Sequence, residues 1–362
     1  MRIAYDLRIL GPAMHGMARY GLELLRALLA AEPGLEVVAL VRRAEDAAWL
    51  PQAPALQTAV HGLAPYGLAA QARLPGILKA LKPDLYFCPF YAPPARYQGP
   101  MVLTIHDMIH LRFPDDHGLK HRLFYRLVVG PAARRAAAVF TVSQHSRDDI
   151  VELLGVDPRR VAITPNGVGP AFRPLAPAEQ AQAARDLGLP ARFILGVGNP
   201  KPHKNLGALV AAHGLLGSDA PPLVLVGVQA GQLPAAQAAP GVIYLPHLGD
   251  QGLALAYGAA LVVVVPSLYE GFGLPALEAL ACGAPLIASQ RASLPEVVGQ
   301  AGLLVEPDAS SLAQALGRVL ADEDLRQGLA QAGPAQAGRF TWAGAAQNAL
   351  TVFGRVVEGT WP

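Results

Sequence analysis

The sequence predicts two doubly wound α/β domains, each built on a parallel sheet with helices packed against it. Its 362 residues are more than a single hydrophobic core usually serves. Short apolar runs rich in Val, Ile and Leu alternate along the chain with segments of helical hydrophobic period. In each half, a strand-like run leads into a glycine-containing loop and then into a helix, a connection typical of nucleotide-binding sheets.

Short strands are expected throughout the first half. They cover residues 2–6, 37–41, 85–88, 102–105 and 139–142, each next to a polar or Gly/Pro turn. A loop at 10–20 is expected to lead into a helix at 21–30. Polar side chains follow three of these strands, namely Asp6 with Arg8, His106 with Asp107, and Ser143. Ligands of doubly wound sheets bind at such strand ends, although Ser143 is equally suited to cap the helix that follows it.

The second half repeats this alternation. Strands are expected from Phe193 onward and at 223–226, 242–245, 262–265 and 285–288. A Pro- and Ala-rich stretch with a short charged helix separates the two halves. We therefore expect an N-terminal domain at 1–170, a linker at 171–190, a C-terminal domain at 191–340 and a final helix at 341–362.

The stretch at 261–283, LVVVVPSLYEGFGLPALEALACG, carries the most specific chemical signal. A buried strand, a glycine loop and a helix from Leu274 follow one another. Free N–H groups in the first turn of such a helix bind phosphate, and Gly273 lets the backbone approach it closely. Glu270 and Glu278 add carboxylates as acceptors for hydroxyl groups. The pattern favours a nucleotide-sugar site; the alternative is a pair of surface glutamates around an ordinary strand–helix turn.

Composition and charge exclude several other classes of protein. The net charge of +2 is too small to indicate nucleic-acid binding. The chain has no uncharged apolar run of about 18 residues, and its first residues are typical of a strand rather than a signal peptide. Cys88 and Cys282 lie in different halves and suggest no disulfide framework. These features predict a cytoplasmic protein.

The segment at 119–135 combines basic and aromatic residues. Two interpretations remain open for it. One is peripheral contact with the inner face of the membrane or with a lipid-linked acceptor. The other is a solvated helix face whose aromatic residues lie in the core.

No metal site is expected. The chain has no Cys/His metal spacing, and its Asp-x-Asp string at 322–324 lies in a helical region rather than at a strand end. The sequence therefore predicts neither a metal nor another cofactor.

The string YEGFGLP, with seven residues between Glu270 and Glu278, resembles the signature of the family-4 glycosyltransferases, retaining enzymes of the GT-B fold. The resemblance implies two facing Rossmann-like domains with a cleft between them, and a final helix that crosses back to the first domain. It implies that Glu278 holds the ribose hydroxyls and that Glu270 and the backbone near Phe272 hold the donor sugar. The N–H groups of Gly273 and Leu274 would then meet the donor diphosphate.

Two strings in the first half extend the resemblance. HGMARY is similar to the family's glycine loop between donor phosphate and acceptor; it keeps Gly16 but has Ala18 in place of the second glycine. HDMIHLRFPD is similar to a segment whose histidine, here His106, lies near the donor sugar. The alternative for a single histidine is a purely structural hydrogen bond.

The string NPKPHKN resembles the family's Gly-x(4–6)-Lys pattern, whose lysine reaches the donor diphosphate. Lys204 is that residue. Asn199 and His203 stand where many members have arginine, so the cationic clamp depends on Lys204, assisted at most by His203 or Lys201. The alternative is an exposed lysine at a helix start, which the positive end of the helix would repel in the absence of an anion.

The whole resemblance points to bacterial polysaccharide mannosyltransferases, and thus to GDP-mannose as donor and a glycan or lipid-linked acceptor. The predicted activity is retaining, metal-independent hexosyl transfer, with His106, Glu270 and Lys204 as catalytic residues. A nucleotide-sugar epimerase on the same fold and a non-catalytic nucleotide-sugar-binding protein are the alternatives.

Overall fold

The computed structural model of the chain describes residues 1–11, 16–116, 118–233 and 240–362. The chain divides into two compact units. The first unit comprises Met1–Gly167 together with Thr341–Pro362, and the second unit comprises Val168–Phe340. Each unit is built on one parallel sheet accompanied by helices, which confirms the predicted class of two Rossmann-like α/β domains.

The strands of the first unit are β1 (Arg2–Asp6), β2 (Glu36–Val41), β3 (Leu56–Val60), β4 (Leu85–Cys88), β5 (Met101–Thr104), β6 (Ala138–Thr141) and β7 (Val161–Ile163). All pairs are parallel, in the order β3-β2-β1-β4-β5-β6-β7. The direction of winding reverses between β1 and β4, so ligands are expected at the carboxyl ends of these two strands. The central strands β4 to β6 are buried along their length, which explains their continuous apolar runs.

Within the described residues, six α-helices of the first unit come before its last strand, β7, in sequence. They are α1 (Gly16–Ala31), α2 (Leu68–Leu81), α3 (Ile109–Arg112), α4 (Leu119–Phe124), α5 (Gly130–Arg135) and α6 (Gln144–Leu154). A π-helical turn, Tyr125–Val129, joins α4 to α5. The basic segment at 119–135 therefore has helical backbone throughout.

Helix α1 begins earlier than the sequence predicts. Residues 16–20, expected in a loop, are its first turns, whereas 12–15 lie outside the described residues. The predicted start at residue 21 is wrong, because Gly21 lies inside the helix. Gly21 instead lets α1 pack closely on the sheet: a Cβ there would lie 2.9 Å from Leu7 Cδ2, and its carbonyl accepts a hydrogen bond from the Tyr5 hydroxyl at 2.7 Å.

The strands of the second unit are β8 (Ile194–Val197), β9 (Leu223–Val226), β10 (Val242–Leu245), β11 (Val262–Val265), β12 (Leu286–Ser289) and β13 (Leu303–Val305). They form a parallel sheet in the order β10-β9-β8-β11-β12-β13. Winding reverses here between β8 and β11, which are hydrogen-bonded neighbours. The carboxyl ends of β8 and β11 are therefore the expected ligand-binding edge of this unit.

The helices of the second unit are α7 (Pro177–Asp186), α8 (Leu206–Leu215), α9 (Asp250–Ala259), α10 (Leu274–Ala281), α11 (Leu294–Val298), α12 (Ala309–Ala321) and α13 (Glu323–Ala337). Alternate residues of the sheet, such as Leu223 and Leu225, form a buried core with α8 and α12. The segment at 171–190 belongs to this unit. It includes α7, which packs against α9, and Leu175 lies so near Gly258 that a Cβ there would meet its Cγ at 2.7 Å.

The last helix, α14 (Trp342–Val357), belongs to the first unit. The Thr341 hydroxyl caps it by accepting a hydrogen bond from the Gly344 N–H at 3.0 Å. The ring of Phe353 packs 5.1 Å from that of Phe87 and 5.5 Å from that of Phe140. Within the described residues, no helix is both long and apolar enough to cross a bilayer.

Candidate active site

The glycine loop of the second unit joins β11 to α10. Gly273 has φ of +103°, a conformation that favours glycine, and a Cβ there would meet Leu294 Cδ2 at 2.7 Å. Its carbonyl accepts hydrogen bonds from the N–H groups of Ala276 and Leu277, and Pro275 has no N–H to donate. In the described part of the chain, the N–H groups of Gly273 and Leu274 donate to no protein acceptor. These two donors are available to an anion.

Lys204 and Glu270 meet at the point where the winding of the sheet reverses. Lys204 follows β8 in a short 3₁₀ turn, Pro202–Lys204, and Glu270 lies in the loop after β11. Lys204 Nζ is 2.7 Å from Glu270 Oε1, and the two side chains are 16% and 11% exposed. The sheet topology thus brings together two charged residues that are 66 positions apart in sequence.

Backbone contacts hold the Lys204 turn against the Glu270 loop. The Leu268 N–H donates to the His203 carbonyl at 2.8 Å. The side-chain amide of Asn205 donates to the carbonyls of Pro266 at 3.0 Å and Pro307 at 2.7 Å. Because Asn205 itself has φ of +54°, it turns the chain sharply between the 3₁₀ turn and α8. The backbone at Lys204 is therefore held by contacts on both sides.

Two buried serines orient the Glu270 loop. The Ser267 hydroxyl donates to Glu270 Oε1 at 2.7 Å, so this carboxylate oxygen is shared by Ser267 and Lys204. The Ser293 hydroxyl lies 2.8 Å from the carbonyl oxygens of both Glu270 and Phe272. The Phe272 ring is buried against Phe340, so only its backbone is available to a ligand.

Glu278 lies on α10, one turn beyond Leu274, and is 6% exposed. Its Oε2 accepts a hydrogen bond from the Tyr257 hydroxyl at 3.2 Å. Burial, and then the charge of Glu278, raises the pKa of Tyr257 well above its ordinary value, so this hydroxyl remains a donor. The two carboxylates thus differ in their surroundings, with a lysine beside Glu270 and a phenol beside Glu278.

Asn199 and His203, which stand where many family members have arginine, differ in their exposure to solvent. Asn199 is exposed, and its Oδ1 accepts from the Lys201 N–H at 3.3 Å. His203 is 7% exposed and lies within the 3₁₀ turn.

In the first unit, His106 follows β5 and is partly exposed. Its Nε2 is 2.9 Å from the Pro89 carbonyl oxygen beyond β4, where a protonated Nε2 donates. The ring meets that of Tyr20 edge-on, with centroids 4.6 Å apart. Gly16 is the exposed first residue of α1, and a Cβ there would meet nothing within 4 Å. Gly16 therefore lies at the N-terminus of a helix, and its surroundings do not require a glycine.

The other polar strand ends of the first unit have structural partners. Asp6 and Arg8 form a fully buried two-pronged ion pair, at 2.8 and 2.6 Å, and the Tyr86 hydroxyl donates to Asp6 Oδ2 at 2.6 Å. The Ser143 hydroxyl accepts from the Ser146 N–H at 3.1 Å as the cap of α6. Of the two interpretations of Ser143, the structure favours the helix cap.

The acidic residues do not form a metal-binding cluster in the described residues. No three His, Cys, Asp or Glu side chains among 1–11, 16–116, 118–233 and 240–362 converge in a way that could hold an ion. Asp322, from the Asp-x-Asp string, caps α13 by accepting from the Leu325 N–H at 2.9 Å.

Three residues of the second-unit site, Ser267, Ser293 and Tyr257, were missed by sequence reasoning. Each acts through a side-chain contact with a residue from 3 to 23 positions away. Ser267 lies within the strand–loop–helix string itself, and this proximity is the signal that could have identified it. Ser293 and Tyr257 offer no local signal.

This architecture is that of two-domain glycosyltransferases. The chain superposes with a TM-score of 0.78 on sucrose-phosphate synthase from Thermosynechococcus elongatus, at 24% identity over 99% of both chains. It superposes with a TM-score of 0.77 on HepE from Anabaena, solved in complex with UDP and glucose, at 20% identity over 98% of this chain and 99% of that one. These likenesses establish the fold and confirm the predicted GT-B architecture.

Sequence similarity then assigns the family. Residues 191–322 match the family described as glycosyl transferases group 1, and residues 14–172 match Glycosyltransferase Family 4. The O-antigen chain mannosyltransferase B of Escherichia coli is 30% identical over 369 residues, which cover 94% of this chain and 96% of that protein. The chain belongs to the family-4 glycosyltransferases, and its activity is glycosyl transfer. The comparisons support neither the epimerase nor the non-catalytic alternative.

Proposed function

We propose that the protein transfers mannose, with retention of configuration, from GDP-mannose to a hydroxyl group of a glycan or lipid-linked acceptor. The observation that carries this proposal is the ion pair of Lys204 and Glu270, which lies at the edge where winding reverses and just before the N-terminus of α10 in sequence. Lys204 suits a diphosphate, Glu270 suits sugar hydroxyls, and the N-terminus of α10 adds N–H donors for phosphate oxygens.

The reaction breaks the bond between the sugar anomeric carbon and the diphosphate oxygen. Negative charge grows on the leaving diphosphate, and Lys204 with the N–H groups of Gly273 and Leu274 stabilises it. The acceptor oxygen forms the new bond on the same face of the sugar, and its proton passes to the departing phosphate oxygen. This route needs neither an enzymic nucleophile nor a metal ion, because fixed donors take the role of the cation.

The remaining roles follow from the environments of the side chains. Glu278, nearly buried and held by Tyr257, accepts hydrogen bonds from the ribose hydroxyls. Glu270 accepts hydrogen bonds from hydroxyls of the donor sugar, and the Phe272 backbone also contacts these hydroxyls. His106 is required for turnover. The relative named an O-antigen chain mannosyltransferase supports mannose as the transferred sugar.

We also propose that the helical segment at 119–135 places the protein on the anionic inner face of a membrane. Three leucines of this segment are spaced four residues apart and exposed, by 68%, 46% and 65% for Leu119, Leu123 and Leu127. Exposed cations flank them, namely Lys120, Arg122 and Arg126. The sequence has no Asp or Glu from 118 to 135. An apolar stripe bordered by cations is the pattern of helices that lie in a membrane interface.

Other apolar residues of the first unit are also exposed. Leu68 is 88% exposed, and Tyr66, two residues earlier, is half-exposed with its ring 6.1 Å from that of Phe124. Phe124 packs against Tyr66, whereas the three leucines are exposed. The solvated-face interpretation explains the cations, but it leaves this concentration of exposed apolar side chains without a role.

Vesicle sedimentation tests the membrane contact. The triple variant Leu119→Ser/Leu123→Ser/Leu127→Ser should lose binding to vesicles containing anionic lipid. The matched control is Leu215→Ser in the second unit, which changes an equally exposed leucine. Each cation near such a surface contributes about 1 kcal/mol, so binding should also fall with added salt. Equal sedimentation of the triple variant and the control would contradict the proposal.

A panel of nucleotide sugars tests the donor. Thermal unfolding in excess EDTA should show a shift with GDP-mannose, because a ligand present at 100 times its dissociation constant stabilises the folded state by about 2.7 kcal/mol. A shift with a UDP-sugar alone would replace the donor but keep the site. Absence of a shift with every nucleotide sugar would contradict the site itself.

A further inference from the structure

The ion pair between Lys204 and Glu270 joins two groups that the proposed function assigns to different parts of the donor. Lys204 is assigned to the diphosphate and Glu270 to the sugar, yet their charged atoms are 2.7 Å apart. Both side chains are largely buried, so little solvent screens their charges. A diphosphate oxygen that reaches Lys204 must therefore come close to the Glu270 carboxylate.

This proximity affects two ligands differently. A free nucleoside diphosphate brings a terminal phosphate with one more negative charge than its sugar ester, and it offers Glu270 no hydrogen-bond donor. When the free nucleoside diphosphate binds, the Glu270 carboxylate faces the negative terminal phosphate and shares Lys204 with it. A nucleotide sugar brings less negative charge beside Glu270. Its sugar hydroxyls also donate hydrogen bonds to the carboxylate, which compensate for the weakened contact with Lys204.

We propose that Glu270 is the residue that makes this site select a sugar-bearing nucleoside diphosphate over the free nucleoside diphosphate. The inference rests on the proposed function, because it takes Lys204 as the diphosphate contact. Before binding, Glu270 keeps Lys204 in place at the end of β8. After transfer, the loss of the sugar hydroxyls leaves Glu270 opposing the remaining diphosphate, which favours its release.

Ser267 acts as a positioning residue for this selection. Its hydroxyl donates to Glu270 Oε1 at 2.7 Å, and it is 2% exposed. When Lys204 turns toward phosphate, this hydrogen bond still holds the carboxylate in the loop. The carboxylate is then aimed at the sugar rather than free to follow the lysine.

The test compares dissociation constants of GDP and GDP-mannose, measured by calorimetry in EDTA, for the wild type and Glu270→Gln. The amide has the shape of the carboxylate but no charge. The variant should bind GDP about tenfold more tightly than the wild type does, while its affinity for GDP-mannose stays equal or falls. The control Glu323→Gln removes an exposed carboxylate paired with Arg326 and should change neither constant.

Ser267 supplies a second, independent measurement. Ser267→Ala should weaken GDP-mannose binding and spare GDP, and Ser267→Thr, which keeps a hydroxyl, should restore the ratio of the two constants. If Ser267 were purely structural, Ser267→Ala would weaken the binding of both ligands equally. If the wild type binds both ligands but Glu270→Gln binds GDP no more tightly than the wild type does, the inference is overturned. The proposed function would still stand. Failure of the wild type to bind any nucleoside diphosphate or nucleotide sugar would overturn both.

Discussion

Replacing Glu278 with glutamine gives the sharpest test of how the nucleotide is held. The substitution keeps the size of the side chain and removes its charge. Glu278 is 6% exposed, so solvent screens the loss little. A hydrogen bond to a charged acceptor contributes about 1.5–3 kcal/mol and one to a neutral acceptor about 0.5–1.5 kcal/mol. The midpoints of these ranges differ by about 1.2 kcal/mol, which predicts roughly eightfold weaker binding of the nucleoside diphosphate.

Calorimetric titration of GDP into Glu278→Gln measures this loss directly. The matched control is Tyr257→Phe, which removes the phenol that donates to Glu278 at 3.2 Å but keeps the carboxylate. That variant should bind GDP within about threefold of the wild type and lose about 1 kcal/mol of stability. Unchanged GDP affinity in Glu278→Gln, with a normal melting temperature, would refute the assignment of Glu278 to the ribose.

Three further predictions concern other described residues. His106→Ala should keep its melting temperature within a few degrees while turnover falls; a large loss of stability with normal activity per folded molecule would make His106 structural. Gly273→Ala should lower the free energy of unfolding by about 1–3 kcal/mol and abolish turnover, because φ is +103° and the new Cβ would meet Leu294; equal stability in chemical denaturation would contradict this. Burial raises the pKa of both thiols, that of Cys282 to about 12 with help from Glu278, so iodoacetamide at pH 8 should label neither Cys88 nor Cys282 until the protein is unfolded. Since these thiols stay neutral when folded but ionise near pH 9 when unfolded, stability should decline as the pH rises above about 9.

The features that the sequence could predict depend on local pattern. The strand at Val262–Val265 and the helix at Leu274–Ala281 lie where the apolar run, the proline and the glycines place them. The edge strand Leu56–Val60 was missed because it is partly exposed and lacks a run of β-branched residues. The start of α1 could not be predicted from Gly21, because close packing against Leu7 and a helix start use the same residue type.

The site followed the same division. Lys204 and Glu270 could be identified from strings around each of them, but not their ion pair, which depends on β8 lying beside β11. Likewise, Ser293 holds carbonyls from a loop more than twenty residues away, and nothing near it in the sequence indicates that contact. Local pattern specifies candidate residues; the pairing of strands decides which of them meet.

The central claim is that Lys204 and the N-terminus of α10, rather than a metal ion, neutralise the leaving diphosphate. Release of GDP from GDP-mannose, measured in excess EDTA for the wild type and Lys204→Ala, tests it most directly. The account predicts full wild-type turnover in EDTA and a loss of about a hundredfold or more in the variant, the scale for one preorganised donor. Wild-type activity that disappears in EDTA and returns with manganese or magnesium would contradict it.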